Sequence, residues 1–174
     1  MQRVSHFTDA LNRALGWLVG VLLALSTAAV FVQVVIRFVL PLFDVVVAAP
    51  WTEEVSRYLM MWAVFIGVAV LCRGFRLIAV EIVPLVLPAR LGVALKLMSL
   101  AICIGFFAIL VRIGFGWVAM SGIELSPVMR IPMNWVFVAM PIGSLIAIFN
   151  LLVFAAECLT GQRDPLAAHA DAED

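Results

Sequence analysis

Residues 133–156 read MNWVFVAMPIGSLIAIFNLLVFAA, a run without one ionisable side chain. As a helix rising 1.5 Å per residue it is roughly 36 Å long, more than the ~30 Å hydrocarbon core of a bilayer. Working back along the chain, three further runs have comparable length: about 14–40, 53–72 and 89–120. The third of these, at about 32 residues, exceeds a perpendicular span and must tilt or project. Lys96 and Arg112 lie inside it. The composition agrees, with 66% hydrophobic and 13% charged residues. Water-soluble domains run nearer half and a quarter. The fold class expected is all-α: an integral membrane protein with four transmembrane helices.

The segments between the spans refine this picture. Val4, Phe7, Leu11, Leu15 and Leu18 recur at three- and four-residue spacing, with Arg3, Asp9, Asn12 and Arg13 on the other face. That pattern describes an amphipathic helix running into the first span. The uncharged run Ala14–Ile36 is too long for a signal-peptide core, so the first span is expected to be retained. Thr52 reads as an N-cap, with Glu53 and Glu54 in the first turn of the second span. Leu77–Leu87 is apolar but short and contains Glu81 and Pro84, which suits an interfacial amphipathic helix between spans 2 and 3. The membrane domain is expected over 1–160, with 161–174 a polar, disordered cytoplasmic tail. Arg3, Arg13, Arg73, Arg76, Arg90, Lys96 and Arg163 flank one side, against Arg37, Arg57, Arg112 and Arg130 on the other. By the positive-inside rule both termini are cytoplasmic.

Several function classes are disfavoured by residue type. The net charge is zero and no basic cluster exists, so nucleic acid is not an expected partner. His6 and His169 lie in the tails, which leaves no intramembrane pair for haem or a metal and argues against a redox anchor. Cys72, Cys103 and Cys158 are widely separated within apolar runs and read as small hydrophobes. No nucleophile–base pair or phosphate loop is present, so neither catalysis nor a cofactor is expected. A self-sufficient exporter working as a homodimer is the alternative. Such a pump needs a titratable carboxylate early in the bundle, and the first span offers only Gln33.

Glu53, Glu54 and Arg57 form the most informative charged group. Spacings of four and three let both carboxylates reach one guanidinium. Charge at the end of a span marks either a functional site or a headgroup-level helix start. Gly16 and Gly20 make a GxxxG in the first span. Trp17, Trp51, Trp117 and Trp135 fall near span ends, and Trp62 lies deeper as a packing residue.

Trp51-Thr52-Glu53-Glu54-Val55-Ser56-Arg57-Tyr58-Leu59-Met60-Met61-Trp62, followed by Gly67, resembles the signature of a known family. It is the small membrane subunit, DctQ type, of the tripartite ATP-independent periplasmic (TRAP) transporters. Arg73 to Glu81 also fits, although Leu77 stands where His is common and Glu81 replaces Asp. Ile131-Pro132 through Trp135, then Pro141-Ile142-Gly143, is similar to the family's entry into its last helix. The resemblance implies a scaffold subunit in the bacterial inner membrane, paired with a large subunit that carries the substrate and sodium sites. It further implies a periplasmic binding protein that delivers a carboxylate. On that footing Trp51, Glu53, Glu54, Arg57 and Trp62 are expected to order the contact with the large subunit. Asp44, Glu124 and Arg130 are the expected docking contacts for the binding protein.

Overall fold

The computed structural model describes residues 2–45, 47–74 and 89–160. Helix α1 (Gln2–Val34) continues through a π-helical turn, Val35–Val39, and a 3-10 turn, Leu40–Phe43. Helix α2 is Pro50–Arg73, α3 is Ala89–Met120, the short α4 is Asn134–Phe137 and α5 is Ala139–Leu159. Among the described residues, four helices are long and apolar enough to cross a membrane, so the expected all-helical membrane fold is what the chain adopts. The amphipathic helix expected over 77–87 and the tail 161–174 lie outside the described residues.

Local chemistry explains where helices begin and break. Pro50, not Glu53, opens α2, because a proline at the first position loses nothing by lacking an N–H. Thr52 is therefore not the cap expected from the sequence. Its hydroxyl turns back to donate to the Ala49 carbonyl at 2.8 Å. The break between α4 and α5 at Val138 has a similar cause. Pro141 cannot donate to the carbonyl of Phe137, four residues earlier, so the helix restarts there.

The helices stand in a row. Helix α2 packs along α1 on one side and α5 on the other, and α5 packs along α3. Among the described residues α1 and α3 do not pack along each other, and they form the two edges. The core lies where α2, α3 and α5 meet, around Ala69, Cys72, Leu100, Phe107, Ala147, Leu151 and Phe154. Backbones approach closely at two glycines. A Cβ on Gly143 would stand 2.7 Å from Phe65 Cβ and from its carbonyl oxygen, and one on Gly114 would stand 2.8 Å from Pro141 Cδ. These are the small-residue contacts that membrane helices use. The GxxxG read in the first span is not one of them: among the described residues, a Cβ added at Gly16 or Gly20 would meet no neighbouring helix within 4 Å.

The start of α1 is amphipathic in the inverted sense. Thr8 and Asn12 are buried against the protein, while Phe7 is 66% exposed. Lipid takes the apolar side and the neighbouring helices take the polar one. Arg112 is exposed on α3, eight residues or about 12 Å short of Met120. From there a long side chain can lay its stem along the helix and lift the guanidinium toward the headgroups.

Candidate functional site

At one end of the row, the first turns of α2 meet the loop joining α3 to α4. Glu54 is buried and points into that loop. Its Oε2 accepts from the Met129 backbone N–H at 2.9 Å, and its Oε1 accepts from the Tyr58 hydroxyl at 2.6 Å. The loop also holds itself. The Ser126 N–H donates to the Ile131 carbonyl at 2.9 Å, and the Met133 N–H donates to the Glu124 carbonyl at 3.0 Å. Between these bonds Leu125 faces Pro132 in an isolated antiparallel bridge. Arg130 sits at φ 52°, in the left-handed region that a residue with a Cβ seldom adopts.

The charged group read from the sequence is divided. Arg57 Nη2 donates to Glu53 Oε1 at 2.8 Å, with the two side chains 70% and 61% exposed. Glu54 lies on the inward side, so the two carboxylates do not converge on Arg57 as their spacing allowed. One helical step separates them, and it turns one carboxylate outward and the other toward the loop. Trp51 is exposed and Trp62 half-buried. Asp44 is exposed at the close of the 3-10 turn with φ 57°, and Glu124 and Arg130 are exposed on the loop. The residues considered together from sequence thus form an outward ion pair, an inward anchor and separate loop positions.

The opposite end holds a network the sequence reading missed. Buried Arg73 makes a two-pronged contact with buried Glu157, Nη1 to Oε2 at 2.8 Å and Nη2 to Oε1 at 2.7 Å. Its Nε donates to Asp9 Oδ1 at 2.9 Å and its Nη2 also reaches Ser5 Oγ at 3.3 Å. One turn deeper, Asn12 and Asn150 exchange amide hydrogen bonds at 2.9 and 2.8 Å. Their remaining amide hydrogens go to the Thr8 and Ala69 carbonyls at 2.8 and 2.7 Å. Helices α1, α2 and α5 are joined by these bonds. Asn150, in an otherwise apolar span, was the available signal, since such a group demands a partner. Arg73 entered the sequence reading only as a charge flanking one side and as part of the family resemblance, and Glu157 did not enter it.

These contacts define a multi-pass helical membrane component whose polar side chains tie helix ends to one another. Residues 26–161 match the family described as "Tripartite ATP-independent periplasmic transporters, DctQ component". The chain belongs to that family, and is therefore a transporter component of the inner membrane rather than an enzyme. It is also similar to the C4-dicarboxylate TRAP transporter small permease protein DctQ of Vibrio cholerae serotype O1. The two are 24% identical over 197 aligned positions, covering 99% of this chain and 81% of that protein.

Proposed function

We propose that this chain is the small scaffold subunit of a sodium-coupled transporter that imports an organic acid, pairing with a large membrane subunit that carries the substrate. A periplasmic binding protein delivers the acid. The observation that carries the reading is the family match over 26–161. The relative's name, which specifies a C4-dicarboxylate, supports a carboxylate as cargo. The internal use of the polar groups supports a scaffold role. Arg73, Asn12 and Asn150 are occupied in joining helices, while α1 and α3 present exposed Trp17, Phe31, Ile102 and Phe106 at the edges of the row. The distribution of Lys and Arg supports cytoplasmic termini. In that orientation Asp44, Glu124 and Arg130 face the periplasm, where they would meet the binding protein.

On this reading Trp51 and the Glu53–Arg57 pair face the large subunit, with Glu54 and Trp62 supporting them from within. The test is a pull-down from detergent-solubilised membranes with this chain tagged and its neighbouring proteins expressed. A large polytopic partner recovered at equal ratio is the expected outcome. Recovery of the chain alone, or only as a homodimer with transport activity, would favour the small-exporter reading instead. Arg57→Ala sharpens the test. An exposed pair four residues apart contributes little to its own helix, so the isolated chain should melt as wild type while less large subunit is recovered. Normal co-purification with wild-type uptake would remove Arg57 from the interface.

A further inference from the structure

We propose that Arg112 is an ion-pairing site inside the membrane, and that the outward face of α3 around it receives a transmembrane helix of the large subunit carrying a carboxylate at the same depth. The proposal rests on the reading that this chain pairs with such a subunit. Two glycine contacts fix the depth. Gly114 of α3 stands against Pro141 of α5, and Gly143 of α5 stands against Phe65 of α2. Arg112 lies two residues from Gly114, and Gly143 two from Pro141, both toward the Arg73 end, so Arg112 is level with Phe65. Phe65 is eight residues, about 12 Å, from Arg73 and twelve residues, about 18 Å, from Glu53. A guanidinium lifted along its helix gains roughly one turn, about 5 Å. It moves toward the headgroups without arriving.

An ionised side chain at that depth needs a partner, and lipid tails offer none. Among the described residues no carboxylate of this chain pairs with Arg112. Arg112 is exposed, on the side of α3 turned away from Phe107 and Gly114, which face the other helices. The face it shares is made of small residues. Ala101, Gly105, Ala108, Arg112 and Gly116 recur at spacings of four, three, four and four, and all five are exposed. Among the described residues, a Cβ added at Gly105 or Gly116 would meet nothing within 4 Å. Exposed Ile102 and Ile109 stand along one side. Small residues in a row let a second helix approach closely, and the arginine in the middle sets what that helix must carry. A phosphate headgroup stays at the membrane surface, so a carboxylate on a spanning segment is the acceptor that reaches this depth. The opposite edge makes no such demand. On α1 the run Ala14–Ile36 has no charge, and its exposed Trp17, Val21 and Phe31 are satisfied by lipid alone.

The experiment titrates this chain, purified in detergent, with the purified large subunit and reads the dissociation constant of the complex. Arg112→Leu should weaken the complex about tenfold or more, while the isolated chain melts no lower than wild type. Arg112→Lys keeps the charge without the planar fork and should fall between the two. Gly105→Leu fills the groove and leaves the charge in place, and should weaken the complex to a similar degree. Gly20→Leu on α1 should leave it unchanged. Arg112→Glu should prevent assembly, and exchanging one intramembrane Asp or Glu of the large subunit for Arg should restore it. Wild-type affinity for Arg112→Leu overturns this proposal alone, and a higher melting temperature in that variant would then assign the guanidinium to lipid phosphates. Failure of every exchange to restore the Arg112→Glu complex overturns it as well, as does an equal loss with Gly20→Leu. A wild-type chain that binds no large subunit at all would take the functional reading down with it.

Discussion

Arg73 is closed over by packing, yet each of its three guanidinium nitrogens has a partner within 3.3 Å. Removing one side of a buried pair leaves an uncompensated charge, which costs more than the pair contributes. Arg73→Leu should therefore lower the stability of the chain in detergent by about 3 kcal/mol or more. Replacing Glu157 with Leu as well should recover much of that loss. Thermal unfolding of both variants checks this, and equal damage in the single and double variants would show that the pairing is not what matters. This residue was visible in the sequence as one of the positive charges flanking one side, but its partner was not. Glu157 stands 84 positions away in the sequence, and no local spacing rule relates the two. The Glu53–Arg57 pair was legible because both members share one helix, whereas Glu54's contact with Met129 crosses 75 positions.

Among the elements, the spans were readable because length and uninterrupted apolarity are what a bilayer demands. Which face of each span meets its neighbour was not. In lipid an outward Leu and an inward Leu satisfy the same solvent, so hydrophobic periodicity loses its power to point at the core. The polar turns of α1 show the inversion, with buried Asn12 and exposed Phe7 on one helix. Glycine spacing misled for the same reason. Gly16 and Gly20 carry the GxxxG motif and face open space, while Gly143, with no glycine four residues away, lies against Phe65. Gly143→Ala should accordingly push α2 and α5 apart and cost about 1–3 kcal/mol, while Gly20→Ala should leave the melting temperature of the isolated chain unchanged. A melting comparison of the two decides between spacing and contact.

As a whole, the molecule is a row of helices with polar tethers at both ends. From Glu53 to Arg73 along α2 is twenty steps, roughly 30 Å, which matches one hydrocarbon thickness. The side each end faces can be checked by labelling. Single cysteines replacing Asp44 or Glu124 should react with a membrane-impermeant maleimide on intact cells, and one replacing His169 only after permeabilisation. The reverse pattern would invert the proposed orientation and remove the docking role of Asp44, Glu124 and Arg130.

The Arg73 network also sets a timetable. Asp9 is made 64 residues before Arg73, and Glu157 follows it by 84. At about 5–20 residues per second of synthesis, the guanidinium waits roughly 4–17 s for its stronger partner. During that interval the N-terminal turns supply the counter-charge already made, so the first helix acts as caretaker for a bond that the last helix completes.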